Sequence, residues 1–263
     1  KLLVYGSTTE EVERFNLPCG GQLHVIIEPF ISNEYLPEIE GLVSRLRQRE
    51  CIERVVDIET GSMTVSEAAR FKHLAFNGDF DHPEQTTGVV LNHTYGPRYQ
   101  LMLIGAGQVS LYLADMAQKL DYQVIVCDPR QEMLDQWHVD GVRLTNEMPD
   151  DAVRQFSQDN FSAIIALTHD PRIDDMGLME ALKTRAFFIG AMGSTRTSAK
   201  RRERLLQLDL TEAEINRLHA PVGLPIGSKT PAEIAIAILA QLTALRGEHT
   251  PSLEADFRTQ HVA

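Results

Sequence analysis

The stretch Leu101-Met102-Leu103-Ile104-Gly105-Ala106-Gly107-Gln108-Val109-Ser110 decides the fold of this chain. Four apolar residues lead into a turn with two spaced glycines, and an amphipathic segment follows. This order is typical of a β-strand that passes through a tight turn into an α-helix. The glycines let the backbone approach an anion closely, and the helix N-terminus offers free N–H groups to it. The stretch therefore predicts a phosphate-binding turn of the dinucleotide-binding type, with Gly105, Gly107 and Gln108 at the anion.

The residues after this turn favour the same interpretation. An apolar face at helical spacing predicts a helix that lies on a sheet, and it consists of Val109, Leu113, Met116, Ala117 and Leu120. The segment Gln123-Val124-Ile125-Val126-Cys127 predicts a second buried strand, and Asp128 at its end is placed to accept hydrogen bonds from a ribose diol. Arg130 is expected to contact a phosphate or to offset the charge of Asp128. The alternative is a glycine-containing turn in an α/β protein that binds no nucleotide.

From about Arg98 onwards, strand and helix patterns alternate, which predicts an α/β domain with a doubly wound, Rossmann-like parallel sheet. The expected strands beyond the first two span 142–144, 163–167 and 186–189. The expected helices beyond the first span 151–158, 174–183, 194–208 and 231–246. The last of these is apolar almost all round, so it is expected to be largely buried, and Thr230 with Glu233 predicts a capping box at its start.

The first part of the chain has a different pattern and predicts a smaller N-terminal α+β domain. We expect strands at 22–27, 54–58 and 89–93 and a charged amphipathic helix at 34–49. The segment Asn92-His93-Thr94-Tyr95-Gly96-Pro97 is expected to be the linker. The predicted organisation is an N-terminal domain at 1–97, a Rossmann-like domain at 98–247 and a polar tail at 248–263.

Composition argues against two classes of partner. The net charge of −12 argues against nucleic acid. No apolar run approaches the length of a membrane span, and no signal peptide is recognisable. Cys19, Cys51 and Cys127 are far apart and form neither a disulfide framework nor a CxxC metal site, so we expect a reducing cytoplasm. Because the sequence begins at Lys1 and not at methionine, we expect residues to precede it.

The trio Thr168-His169-Asp170 follows the fourth predicted strand of the Rossmann-like domain. In such a sheet, ligands bind where the strand order reverses, between the first and the fourth strand. We therefore expect the trio to lie beside the turn at Gly105. A histidine and an aspartate can act as a proton-transfer pair or as metal ligands. The alternative is that Thr168 and Asp170 cap a loop and that His169 makes a local hydrogen bond.

A second glycine-spaced turn, Gly190-Ala191-Met192-Gly193-Ser194, follows the fifth strand. The helix after it carries one acid, Glu203, and a group of basic residues that consists of Arg196, Lys200, Arg201, Arg202 and Arg204. Turn amides combined with arginines suit a phosphate group, so Gly190, Gly193, Ser194 and Arg196 are candidate binding residues. The alternative is a solvated helix face with Ser194 as its cap.

Cys19 lies beside two glycines on a predicted turn. A cysteine that is exposed there can ligate a soft metal or carry sulfur. The alternative is that it is a small buried apolar residue.

Six segments together resemble the XdhC/CoxI family of xanthine dehydrogenase accessory proteins, in their order and spacing over most of the chain. They are Pro18-Cys19-Gly20-Gly21 with Glu28-Pro29, Gly105-Ala106-Gly107, Asp128-Pro129-Arg130, Thr168-His169-Asp170, Ile189-Gly190-Ala191-Met192-Gly193-Ser194, and Pro221-Val222-Gly223-Leu224-Pro225-Ile226-Gly227 with Thr230-Pro231 and Glu233. The chain departs from the usual dinucleotide pattern at Ser110, where glycine or alanine is common.

This resemblance implies a cytoplasmic maturation chaperone that binds the molybdenum cofactor (molybdopterin) and delivers it to a molybdenum hydroxylase apo-enzyme. It also implies a cysteine desulfurase as a second partner and a homodimer, and it favours a non-enzymatic role, with Cys19 at the metal or its sulfur. Two alternatives stay open on the residues alone. One is an NAD(P)-dependent oxidoreductase with His169 as proton donor, and the other is a regulatory protein that senses a nucleotide.

Overall fold

A computed structural model of the chain describes residues 2–6, 8–15, 22–28, 36–68, 74–79, 82 and 85–249. These residues form two compact units, one that ends at Pro97 and one that begins at Arg98. In the described part of the chain, no helix has both the length and the apolar character needed to cross a membrane.

The described residues of the N-terminal unit form two small antiparallel sheets and two helices. Its elements are β1 (Leu2–Tyr5), α1 (Thr9–Arg14), β2 (Leu23–Ile26), α2 (Leu36–Arg47), β3 (Ile52–Asp57), β4 (Met63–Glu67), β5 (Ala75–Phe76) and β6 (Val90–Tyr95). Strands β1 and β2 pair with each other, and a four-stranded sheet has the order β4-β3-β6-β5. The predicted strands and α2 are present, whereas β1, β4, β5 and α1 were not expected.

The predicted linker is wrong for most of its length. Asn92 to Tyr95 belong to β6 and pair with β3, with Asn92 opposite Val55 and Tyr95 opposite Ile52. Asparagine, histidine and threonine are common in loops, but here their backbone groups complete the ladder with a central strand. Pairing within the sheet therefore overrides the local composition.

The C-terminal unit alternates strands and helices. Its elements are β7 (Gln100–Ile104), α3 (Gln108–Lys119), β8 (Gln123–Cys127), α4 (Gln131–Leu134), β9 (Arg143–Thr145), α5 (Pro149–Phe156), β10 (Ser162–Ala166), α6 (Pro171–Ala181), β11 (Phe188–Ala191), α7 (Thr195–Leu206), α8 (Glu212–Ile215), β12 (Leu218–His219) and α9 (Pro231–His249). The six strands are parallel in the order β12-β11-β10-β7-β8-β9. This order confirms the doubly wound sheet, with the reversal between β7 and β10.

Both faces of this sheet are covered at its centre, which explains why β7, β8 and β10 are apolar after their first residue, whereas the edge strand β9 is largely exposed. On β7, Leu101 and Leu103 pack on the side of α3 and α9, whereas Met102 and Ile104 pack on the side of α5 and α6. All four side chains are fully buried. Alternate side chains of this central strand thus pack into the hydrophobic clusters on the two faces of the sheet.

Several details differ from the expectations. The strand expected at 186–189 runs instead from Phe188 to Ala191, since Ala186 N donates to Thr184 Oγ1 in a turn. Helix α9 extends to His249, so the first residues of the expected tail are helical. It is less buried than its composition suggests, because Ile236 is 49% exposed. Leu120 is the C-cap of α3 and is partly exposed, so it does not belong to the buried face.

Candidate functional site

The glycine turn lies at the carboxyl end of β7, beside the neighbouring strand β10. Gly105 has a positive φ of 107°, and its N–H donates to Cys127 O at 2.7 Å. A Cβ atom at Gly105 would lie 2.7 Å from Thr168 Cγ2. The fully buried Ser110 closes the turn from within, since its hydroxyl donates to Gly105 O at 2.5 Å. Glycine at 105 is therefore required by the fold itself, and the serine has a structural role.

Gly107 differs from Gly105, because nothing in the described structure requires a glycine there. Its φ of −87° and ψ of −176° are open to any residue, and a Cβ atom would meet no atom within 4 Å. It is the N-cap of α3 and supplies no side chain to the first turn, whereas Asp170 caps α6 and Ser194 caps α7. The N-terminus of α3 is thus left uncapped beside open space, with Gln108 exposed, as an anion-binding turn requires.

Asp128, at the end of β8, is fully buried and bound to the turn. Its Oδ2 accepts from Ala106 N and Arg130 Nη2, and its Oδ1 accepts from Arg130 N and Nε, all between 2.9 and 3.1 Å. Burial raises the pKa of Asp128, but the hydrogen bonds from Arg130 and Ala106 outweigh burial and hold the pKa below its usual value. The carboxylate is therefore ionised and fully engaged within the protein.

The trio after β10 lies where the sequence predicts, with Thr168 in contact range of Gly105. The Thr168 hydroxyl donates to Asp174 Oδ1 at 2.6 Å, and Asp170 caps α6 through Arg172 N. The hydrogen bonds from Arg172 lower the pKa of Asp170 to about 2. Thr168 and Asp170 thus have local structural partners, while His169 is the exposed member of the trio.

The sequence analysis did not predict a buried network of ion pairs that joins α6 and α7. Asp174 and Arg201 are almost fully buried and joined by a 2.7 Å ion pair, and Arg201 Nη1 donates to Met192 O at 3.0 Å. Arg204 and Arg201 both bind Asp175. Burial raises the pKa of Asp174 to about 6, against the opposing hydrogen bond from Thr168 and the charge of Arg201. The network connects the carboxyl ends of β10 and β11 to α6 and α7. In the sequence, only the adjacent acids Asp174 and Asp175 indicated it.

The basic helix α7 therefore differs from its prediction as a basic exposed face. Arg201 and Arg204 are paired with the acids of α6, and Arg202 donates to Ile215 O and Leu218 O. Arg196 and Lys200 are exposed. Composition along one helix cannot show acids that reach it from another helix. Asp174 and Asp175 of α6 offset the charges of Arg201 and Arg204, so about half of the local excess of positive charge remains.

The second glycine turn is shaped by packing. A Cβ atom at Gly190 would lie 2.6 Å from Val222 Cγ2, and one at Gly193 would lie 3.3 Å from Thr197 Cβ. Ser194 caps α7 by accepting from Thr197 N at 3.1 Å. The sheet order places this turn across β10 from the first turn. These contacts match the alternative in which Ser194 is a cap, and binding at this turn stays a prediction.

Cys19 lies outside the described residues. Among the residues that the structure describes, histidine, cysteine and acidic side chains form no group of three or more that is arranged to hold a metal. Cys51 and Cys127 are buried, and burial raises the pKa of Cys127 to about 12.

Known proteins with similar sequences point to one family. Residues 101–242 match the XdhC Rossmann domain. A Bacillus subtilis protein, named as a probable subunit of xanthine dehydrogenase, is 25% identical over 249 residues, which cover 87% of this chain and 70% of that protein. The molybdenum cofactor insertion chaperone PaoD of Escherichia coli is 25% identical over 234 residues, which cover 88% of this chain and 61% of that protein.

A third relative, the uncharacterized protein YqeB of Escherichia coli, is 31% identical over 161 residues, which cover 58% of this chain. The chain spans only 28% of YqeB and less than two thirds of PaoD. Among solved structures, a xanthine dehydrogenase from Bacillus halodurans aligns with a TM-score of 0.67 at 22% identity, covering 94% of this chain and 75% of that one. That likeness shows the fold. Since the family match covers more than half of the chain, the chain belongs to the XdhC family and carries its Rossmann domain.

Proposed function

We propose that this chain is a maturation chaperone, which binds the molybdenum cofactor and delivers it to the apo-form of a molybdenum hydroxylase. The names of two relatives, a cofactor insertion chaperone and a probable part of a xanthine dehydrogenase, support a role in the maturation of such enzymes. The observation that carries the proposal is the uncapped N-terminus of α3 beside the open space at Gly107. The cofactor is a pterin that bears a phosphate, and a phosphate suits that position.

In this proposal the cofactor is cargo, and several of the candidate residues have distinct roles in holding it. The N–H groups at Gly107 and Gln108 hold the phosphate, and Arg130 adds positive charge beside them. His169 lies exposed on the β10 side of the same opening. Cys19 is proposed to contact the metal or its sulfur. Arg196 and the turn 190–194 are proposed to form the outer wall.

The proposed partners are a molybdenum hydroxylase apo-enzyme and a cysteine desulfurase, and the proposed assembly is a homodimer in the cytoplasm. Binding and delivery are separable, because a chaperone must also release its cargo. Delivery is tested by adding the loaded chain to a cofactor-free hydroxylase and measuring the hydroxylase activity that appears.

Binding is tested by anaerobic gel filtration of the chain with cofactor released from a molybdenum hydroxylase, with pterin and molybdenum measured in the protein peak. Gly107→Asp places a carboxylate where the phosphate is proposed to bind. Met148→Asp is the matched control, since Met148 is an uncapped N-cap on another helix, α5. We expect co-elution with the wild type and the control and loss of co-elution with Gly107→Asp. Co-elution that is absent from the wild type, or unchanged in Gly107→Asp, contradicts the proposal.

A second candidate is an NAD(P)-dependent oxidoreductase. The strand order and the exposed His169 beside the glycine turn favour it. It requires a substrate-dependent change in NAD(P)H absorbance that is abolished by His169→Ala. Calorimetry that detects no dinucleotide binding excludes it.

A further inference from the structure

The Asp128–Arg130 pair determines which anions the glycine turn accepts. In dinucleotide-binding sheets, an acid at this position has free lone pairs for the two hydroxyls of a ribose. A carboxylate has about four lone-pair positions. In this chain, Asp128 accepts four hydrogen bonds, one from Ala106 and three from Arg130, and its side chain is fully buried. No acceptor is left for a ribose diol.

Arg130 differs from Asp128 in its chemistry, because it still has donors to offer. Its guanidinium uses Nε and Nη2 on Asp128, whereas both N–H groups of Nη1 are not used there. The side chain is 39% exposed. Arg130 therefore presents N–H donors to solvent beside the turn, while Asp128 holds the guanidinium in one orientation.

The position of Arg130 follows from shared contacts. Arg130 Nη2 and Ala106 N donate to the same oxygen of Asp128, each at 2.9 Å, so the guanidinium lies directly against the glycine turn. The charge of Arg130 also lowers the pKa of Asp170, which follows β10. Arg130 therefore lies close to Ala106, between the carboxyl end of β7 and the start of α3.

We propose that this site selects ligands carrying a phosphate monoester and rejects ligands that present a free ribose diol, with Arg130 as the specificity-determining residue. The inference rests on the proposed function only in taking the glycine turn as the anion site. Among pterin cofactors, it favours a form that ends in a phosphate over a form extended by a nucleotide. A diol can bind only after Arg130 has left Asp128, whereas a phosphate binds to Arg130 in place.

The sequence contains a matched control for this arrangement. Asp170-Pro171-Arg172 repeats the residues Asp128-Pro129-Arg130, and Arg172 binds Asp170 through the same atoms, N and Nε to Oδ1 and Nη2 to Oδ2. Arg172 is 89% exposed, and among the described contacts Asp170 accepts nothing from the glycine turn. Arg172→Ala thus removes an equivalent ion pair outside the turn.

The test uses NAD⁺ and NADP⁺ as probes, because they differ only at the adenosine ribose. NAD⁺ has a free diol there, whereas NADP⁺ has a phosphate monoester on the 2′-oxygen. Their dissociation constants are measured by calorimetry for the full chain, Arg130→Ala and Arg172→Ala. We expect the wild type to bind NADP⁺ about tenfold to hundredfold more tightly than NAD⁺, as charge-assisted hydrogen bonds allow. Arg130→Ala frees Asp128, so it is expected to weaken NADP⁺, to tighten NAD⁺ and to reverse the order. Arg172→Ala is expected to keep the wild-type order.

Three results overturn the inference. They are equal or tighter binding of NAD⁺ by the wild type, an unchanged ratio in Arg130→Ala, and no binding of either nucleotide at millimolar concentration. Circular dichroism of Arg130→Ala verifies that the variant is folded. Arg130→Lys keeps the charge without the planar guanidinium, so its ratio of NAD⁺ to NADP⁺ dissociation constants is expected to lie between those of the wild type and Arg130→Ala. Each result is independent of cofactor co-elution, so failure of the inference and failure of the proposed function are distinguishable.

Discussion

Gly107→Asp is expected to make the protein more stable and, at the same time, unable to bind its anion. The backbone at Gly107 already has the extended geometry of an N-cap, and a new side chain meets no atom within 4 Å. An aspartate there accepts from the first turn of α3, which contributes a few tenths of a kcal/mol over glycine. Its charge at the positive end of the helix dipole contributes about 0.3–1 kcal/mol.

Replacing glycine also restricts the unfolded chain, which contributes about 0.4–1 kcal/mol. Together these effects raise the free energy of unfolding by about 1–2 kcal/mol. For a unit of this size, each kcal/mol raises Tm by about 2–4 °C. Gly107→Ser is the uncharged comparison. A serine also caps α3 and restricts the unfolded chain, so its gain in the free energy of unfolding is expected to lack only the contribution of the charge.

The measurement is urea unfolding followed by circular dichroism, together with calorimetric titration of the ligand identified by co-elution. An increase in stability with loss of binding supports an N-terminus left uncapped for a ligand. A loss of stability of about 1 kcal/mol or more, as overpacking causes, would show that the space at Gly107 is not open. Full ligand affinity in Gly107→Asp would show that the anion binds elsewhere.

Three further predictions concern the framework of the site. Gly105→Ala is expected to cost about 2–6 kcal/mol in urea unfolding, because it combines a positive φ with a 2.7 Å contact to a neighbouring strand end; a cost below about 1 kcal/mol would contradict this. Arg201→Met leaves buried carboxylates without their cation and is expected to cost about 3–5 kcal/mol, whereas Arg196→Met, at an exposed position, is expected to change stability by less than about 0.5 kcal/mol. Because burial raises the pKa of Asp174 to about 6, the native state binds a proton more tightly than the unfolded state between about pH 4 and pH 6. The stability of the wild type relative to Asp174→Asn is therefore expected to rise by up to about 3 kcal/mol as the pH falls from about 7 to 4, and a constant difference would refute the pKa shift.

Most strands and helices of the C-terminal unit were predictable because they have local causes, whereas the short elements α4, α8 and β12 were not expected. The apolar runs of β7, β8 and β10 belong to strands covered on both faces, and their length and flanking turns identify them in one dimension. The glycine turn was predictable for the same reason, since its spacing constrains only neighbouring residues. The linker prediction failed because Asn92 to Tyr95 are held in a strand by a partner strand far away in sequence.

By itself, the sequence determined the doubly wound fold, the turn at Gly105 and the approach of Thr168 to it, since periodicity and glycine spacing are local and strand order follows from alternation. Only the tertiary structure decided which charged groups from different elements pair with one another. It paired Arg201 of α7 with Asp174 of α6 and brought Ala106 N to Asp128 Oδ2, whereas the pairing of Asp128 with Arg130, two positions away, was one of the two roles expected for Arg130 from the sequence. The physical reason is that the ion pair between α6 and α7 and the hydrogen bond from Ala106 to Asp128 depend on distances between residues far apart in the chain. The type of a single residue does not determine those distances.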